Sequence, residues 1–220
     1  MPPLKLILIR HGETDFNRDG RVPGVAEPLN ETGLAQAAAA GRAISPDMPF
    51  ALYSSPLTRA EQTAHAISDA AHVQAVPLQG VEELDPGEFE GLTGPQMRQR
   101  FPEVMTRWDR DPGPTTMPGG ESLRQVQARA WKAVSRVAKA NPDRKVVIVT
   151  HNFPIQTIIC QALGMPLNNY RRLSVGLGSI TRMELSDSTA KLVSMNESRH
   201  LETYRETDRE TDRETDRLTP

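Results

Sequence analysis

Leu6-Ile7-Leu8-Ile9-Arg10-His11-Gly12-Glu13-Thr14 is the stretch whose reading decides the fold. Four consecutive apolar residues with no polar alternation predict a short strand buried on both faces, as in the centre of a parallel sheet. The strand runs directly into a cation, an imidazole and a glycine. In open α/β sheets the carboxyl edge of the strands is where ligands sit. Gly12 is expected to let the backbone turn sharply and approach a ligand closely.

Two further stretches share this layout. Phe50 to Tyr53 is a second short apolar strand, followed by Ser54-Ser55-Pro56-Leu57-Thr58-Arg59. Ser55 reads as an N-cap, with Pro56 at a position that tolerates proline, and Ala60, Ala64, Ile67 and Ala71 recur at helical spacing. Arg59 therefore falls in the first turn of a helix. Val146-Val147-Ile148-Val149-Thr150 is the clearest buried strand and ends in His151, with a helix expected over Pro154 to Leu163.

Helices separate these strands. Asn30 caps an alanine-rich run, Leu34 to Ile44, and Ser122 with Gln125 forms a capping-box signature ahead of an apolar stripe at Leu123, Val126, Ala130, Val134 and Val137. Gly119-Gly120 reads as the hinge before that helix. Val73 to Leu78 reads as an edge strand, and Ile180 to Leu185 and Ala190 to Met195 as two late strands. Strands alternating with helices predict a three-layer α/β/α sandwich around a mostly parallel sheet.

With 220 residues the chain can bury one sizeable α/β core. Residues 1–204 are expected to form one domain, with 95–118 a cap-like insertion of short helices. From Arg205 the chain repeats Arg-Glu-Thr-Asp, so 205–220 reads as a charged low-complexity tail with nothing to bury. A net charge of −2 argues against nucleic acid as a partner. No apolar run is long enough for a membrane span or a signal-peptide core, so a cytoplasmic location is expected. The single cysteine, Cys160, lies among Ile155, Ile158, Ile159 and Leu163 and reads as a small core residue.

In a parallel sheet the three strand ends share one edge, which brings Arg10, His11, Arg59 and His151 to one pocket. Two arginines imply an anion, and the guanidinium fork suits phosphate or carboxylate. Histidines among arginines rather than carboxylates argue against a metal, and no His/Cys cluster has zinc spacing. The chemistry this predicts is phosphoryl transfer through a histidine. Neighbouring cations keep His11 neutral and nucleophilic, while Arg10, Arg59 and a protonated His151 neutralise the oxygens of the transferring group. A leaving alkoxide needs a proton. The Glu82 to Glu90 loop is the acidic cluster that could supply it, and spacing alone leaves open which glutamate does so.

Taken in order, Leu-Ile-Arg-His-Gly-Glu-Thr at 8–14, Ser-Ser-Pro-Leu-Thr-Arg-Ala-Glu-Gln-Thr-Ala at 54–64, Glu-Leu-Asp-Pro-Gly-Glu-Phe-Glu-Gly at 83–91 and Val-Thr-His at 149–151 resemble the histidine phosphatase superfamily. The resemblance spans residues 4–195 and implies a phosphoglycerate mutase-like fold. It implies His11 as the phosphorylated nucleophile and Glu83, four residues before Gly87, as the acid. It also implies Arg10, Arg59 and His151 as the phosphate pocket, with Asn17 beside them. Where the family often has glycine after the second histidine, this chain has Asn152, a residue able to adopt the left-handed conformation and a further candidate for substrate contact. The function expected is a cofactor- and metal-independent phosphatase acting on a small phosphomonoester. The 83–91 loop resembles that of the phosphatases rather than the basic version of the mutases. The alternatives are a phosphoglycerate mutase and a non-catalytic phospholigand-binding protein, and a homodimer is compatible with either enzyme.

Overall fold

The structure is a computed structural model of the chain and describes residues 3–186 and 189–202. The charged tail expected over 205–220 lies outside the described residues. In chain order the strands are β1 (Leu4–Arg10), β2 (Ala51–Ser54), β3 (Ala75–Pro77), β4 (Lys145–Thr150), β5 (Ile180–Leu185) and β6 (Ala190–Glu197). The helices are α1 (Asp15–Arg18), α2 (Glu31–Ile44), α3 (Thr58–Ala71), α4 (Gly94–Arg100), α5 (Pro102–Arg110), α6 (Leu123–Ala140) and α7 (Asn152–Ala162).

The six strands form one sheet in the order β3-β2-β4-β1-β5-β6. The pairs β3–β2, β2–β4 and β4–β1 are parallel, and β5 runs antiparallel to both β1 and β6. Strand alternation sorts the apolar run into two cores. Leu6, Leu8, Val146 and Ile148 face one way, onto Val134 and Val137 of α6 and Ile155, Ile158 and Ile159 of α7. Ile7, Ile9, Val147 and Val149 face the other way, onto Ala40 and Ile44 of α2 and Ala60, Ala64 and Ile67 of α3. Burying each of these large side chains stabilises the fold by about 1.5–3 kcal/mol before the entropy of ordering is charged against it. A continuous apolar run is therefore what a sheet covered on both faces requires.

The helix starts follow from their caps. Asn30 accepts from the Gly33 N–H, and Ser122 forms a reciprocal capping box with Gln125. Ser55 does not cap α3. That helix begins at Thr58 behind Leu57, and the fully buried Ser55 hydroxyl is used elsewhere.

Two glycine readings also change. Gly12 has no left-handed φ, and a Cβ there would stand 2.4 Å from the Gly33 carbonyl oxygen. It is needed because the end of β1 packs directly on the first turn of α2. Gly120 likewise is a packing point rather than a hinge, since a Cβ would meet the Asp85 carbonyl at 2.2 Å. The 117–121 turn is thereby docked against the loop that carries Glu83. A third cluster of Leu84, Phe89, Met105, Trp108, Met117, Cys160 and Tyr170 joins α4 and α5 to the body of the fold. Cys160 is a buried core residue.

Candidate active site

Register places the site. Arg10 is paired with Thr150 and Ser54 with Val149, so Arg10-His11, Ser54-Ser55 and Thr150-His151 leave the sheet at one level. The His11 N–H donates to the Thr150 carbonyl at 3.0 Å, and the Ser55 N–H to the Val149 carbonyl at 2.9 Å. Arg59, one residue into α3, points back into the same space. The four residues read from the strand ends are therefore brought together.

His11 is buried, with Nδ1 at 2.6 Å from the Gly12 carbonyl oxygen. A carbonyl only accepts, so Nδ1 carries the proton and Nε2 presents a lone pair. Arg59 Nε donates to that Nε2 at 3.3 Å. Burial, with Arg59 and Arg10 nearby, holds the imidazole well below its usual pKa, so His11 is neutral near pH 7. The ring of His151 lies with its centroid 5.0 Å from that of His11. Burial, followed by Arg59, His11 and Arg10, holds it well below its usual value too. Burial and the surrounding arginines thus oppose the protonated His151 that the sequence led one to expect.

Both arginines are desolvated cations. Burial is the main influence lowering the pKa of each, opposed in both by the charge of Glu83. Arg59 is 1% exposed and gives Nη1 to the Gly24 carbonyl at 2.6 Å, while Arg10 gives Nη1 to the Val175 carbonyl at 2.6 Å. Among the described residues three buried polar side-chain atoms have no partner, and two of them are Arg10 Nε and His151 Nδ1. Buried polar groups are nearly always paired, so two orphans beside one nucleophilic nitrogen mark a place for an acceptor-rich ligand.

Glu83 and Glu82 are distinguished by their contacts. Glu83 accepts from the N–H groups of Asn152 and Phe153 at 3.2 Å each, and of Leu84 at 2.9 Å. Its carboxylate thus sits on the first turn of α7, adjoining His151. Glu82 instead accepts from the Gly80 N–H and Arg129. A cavity of about 350 Å³ opens between the 23–25 loop and the 82–86 loop, with Arg59 and Glu83 both on its wall.

The remaining candidates have definite places. Asn17 closes a capping box with Thr14 through its Oδ1, which leaves its NH₂ as the group able to meet a ligand. Asn152 is not left-handed: it is the first residue of α7, gives its N–H to Glu83 and turns its side chain to Gln156. Among the described residues no group of three or more His, Cys, Asp or Glu could hold a metal ion.

The sequence reading missed the role of one residue, Ser55, and did not single out another, Arg129. Ser55 Oγ lies 2.7 Å from His151 Nε2. Arg129, on α6, ties down the acidic loop: it donates to the carbonyls of Gly80, Glu82 and Glu83 and forms a fork with Glu121 at 2.8 and 2.9 Å. Glu121, which burial pushes up, is held below its usual pKa by those hydrogen bonds and the Arg129 charge. In turn it accepts from the Asp85 N–H at 3.1 Å. Ser55 stands at a strand end, but its composition reads as a cap, and Arg129 lies mid-helix in α6, so spacing offered no signal for either role.

Comparison with known proteins gives a consistent result. The model of the histidine phosphatase superfamily (branch 1) matches residues 6–198. Phosphoserine phosphatase 1 of Hydrogenobacter thermophilus is 30% identical over 199 residues, covering 90% of this chain and 94% of that protein. Longer mycobacterial relatives also match, and the chain spans 55% of their length. Among solved structures, Bacillus stearothermophilus YhfR superposes with a TM-score of 0.84 at 27% identity, covering 90% of this chain and 98% of that one. A mycobacterial glucosyl-3-phosphoglycerate phosphatase in complex with VO3 gives 0.80 at 28% identity, covering 87% and 98%.

Proposed function

The chain belongs to the histidine phosphatase superfamily, and from that premise we propose that it hydrolyses a small phosphomonoester through a phosphohistidine at His11. The observation that carries this reading is the pair of orphaned buried atoms, Arg10 Nε and His151 Nδ1, set around a neutral imidazole whose Nε2 lone pair meets only the Arg59 Nε–H. An oxyanion with several acceptor oxygens satisfies both and compensates two buried guanidinium charges. The names of relatives, among them phosphoserine phosphatases, support a phosphoester as that anion.

In the first step the phosphate group lies among Arg10, Arg59, His151 and the Asn17 amide. His11 Nε2 attacks phosphorus as the bond to the ester oxygen breaks. Glu83, entering as the carboxylic acid, gives its proton to the leaving alkoxide. The His11 Nδ1–H stays on the Gly12 carbonyl, which stabilises the positive charge the ring gains. In the second step the Glu83 carboxylate takes a proton from water, the hydroxide oxygen attacks phosphorus, and the N–P bond breaks to release phosphate. Arg10 and Arg59 remain on the equatorial oxygens in both steps, a preorganised electrostatic contribution.

The Glu83 contacts favour this reading over a passive phospholigand site, because anion binding needs no carboxylate against the pocket. A mutase is disfavoured by the cavity wall. Its basic members are Arg59, assigned to the phosphate, and Arg129, already held by Glu121 and Glu82. Among the described residues of that wall no further cation stands ready for the carboxylate of a phosphoglycerate. We read residues 1–204 as one catalytic domain with 95–118 as its cap. We also read the enzyme as cytoplasmic with no nucleic-acid partner, a homodimer remaining compatible; among the described residues no helix is long and apolar enough to cross a membrane. The test is a phosphate-release screen over small phosphomonoesters with EDTA present. Release that persists in the chelator supports the proposal; no release from any ester, or release that requires an added divalent ion, refutes it.

A further inference from the structure

Ser55 has no part in the steps above, yet its side chain is fully buried against one of the pocket's two imidazoles. A serine hydroxyl has one proton to give and lone pairs to receive. The Leu57 N–H donates to Ser55 Oγ at 3.3 Å, and His151 Nε2 stands at 2.7 Å. The direction of that second bond decides how His151 meets its ligand.

Suppose Nε2 carried the imidazole proton. It would then donate to Oγ, as Leu57 does, and the hydroxyl proton would be left without an acceptor in a site water does not reach. Leaving such a buried donor unmade costs about 1–3 kcal/mol. His151 Nδ1 would also turn a bare lone pair toward the place where phosphate oxygens bind, and the two would repel. The opposite arrangement has neither fault. The hydroxyl donates to Nε2, Oγ accepts from Leu57, and Nδ1 bears the proton. Nδ1 is the buried atom with no partner in the protein. Burial and the charges of Arg59, Arg10 and Arg129 disfavour a doubly protonated ring, and the neighbouring Glu83 carboxylate is taken up by the N–H groups of Leu84, Asn152 and Phe153.

We propose that Ser55 is a positioning residue that fixes His151 as the Nδ1–H tautomer, so that this N–H is aimed at an oxygen of the bound phosphate. The proposal rests on the reading of the pocket as a phosphate site, but tautomer and phosphate affinity are separate observables. Ser55 touches neither phosphorus nor the leaving group. It acts by denying His151 the tautomer that would repel the ligand, as residues behind a metal-bound histidine do.

The test is nitrogen-15 NMR on protein labelled at histidine, where long-range proton–nitrogen correlations show which ring nitrogen is protonated. The unmodified protein should show His151 as Nδ1–H. Ser55→Ala should shift it toward Nε2–H or a mixture while the backbone amide spectrum stays that of the folded protein. Inorganic phosphate should bind the variant about 10–100-fold more weakly, and Ser55→Thr, which keeps the hydroxyl, should recover tautomer and affinity. An Nε2–H tautomer in the unmodified protein overturns the inference without any variant having to fold. So does an unchanged Nδ1–H tautomer in Ser55→Ala. Failure of the unmodified protein to bind phosphate at all would instead strike the reading of the pocket.

Discussion

Replacing Arg129 by lysine asks whether a residue behind the acidic loop governs proton delivery. The guanidinium reaches the carbonyls of Gly80, Glu82 and Glu83 and, through its fork with Glu121, the N–H of Asp85. One side chain thus fixes the loop on both sides of the carboxylate. Lysine keeps the charge but has a single ammonium, which can stay with Glu121 or follow the carbonyls and cannot do both. About three of the hydrogen bonds are lost. At roughly 0.5–1.5 kcal/mol each, rising when one partner is charged, the cost is about 2–4 kcal/mol. A domain of this size loses roughly 2–4 °C in Tm per kcal/mol, so a fall of about 4–16 °C is expected with the protein still folded at 25 °C. The kinetic signature is more specific. A carboxyl displaced by about 1 Å loses on the order of 100-fold in rate where it must protonate the leaving group. Turnover of an alkyl phosphate should fall by that order, whereas p-nitrophenyl phosphate, whose leaving group needs no proton, should change by less than about threefold. The assay is kcat for both esters at 25 °C, beside a thermal melt. Equal losses on the two esters would refute the link between Arg129 and the acid and leave it a purely structural brace.

Three further outcomes are expected. Glu83→Gln should depress alkyl ester turnover by about 100-fold or more and spare p-nitrophenyl phosphate, and matched losses would mean that Glu83 only holds structure. Stability should depend on pH through His11 and His151, both held well below the usual histidine value near 6.5. The unfolded chain then binds more protons, so the stability is intact above about pH 6.5 and falls below it, by up to about 2.7 kcal/mol per pH unit for the two together; a flat denaturant midpoint from pH 7.5 to 5.5 would contradict this. Gly12→Ala should destabilise the domain strongly, because the new methyl meets the Gly33 carbonyl at 2.4 Å between two backbones that cannot yield. A melting temperature within a degree or two of the unmodified protein would show that they can.

The parts of this fold legible in the sequence are those set by local chemistry. The buried runs at 6–9 and 146–150, the Asn30 cap and the Ser122–Gln125 box needed only period and capping rules, and all stand in the structure. Convergence of Arg10, His11, Arg59 and His151 followed from parallel strands sharing one edge. What was not legible depended on depth and on distant partners. Ser55 has the composition of a cap, and its use against His151 arises only because β2 and β4 are neighbours in register. The charge of His151 turns on a burial that no spacing reveals. Gly119-Gly120 looks like a hinge until the Asp85 carbonyl is found pressed against it. Between Glu82 and Glu83 spacing offers no choice and the family resemblance alone pointed to Glu83; in the structure the α7 N-terminus meets the Glu83 carboxylate and Arg129 that of Glu82.

The claim on which the rest depends is that phosphorus passes through His11. The direct measurement is to mix the protein with a phosphorus-32-labelled phosphomonoester, denature within milliseconds, and follow the label bound to protein. The expected result is label on the unmodified chain, lost in acid and retained in base as a phosphoramidate is, and absent from His11→Ala. Label that survives in His11→Ala, or that resists acid as a serine ester does, would place the nucleophile elsewhere and contradict the account.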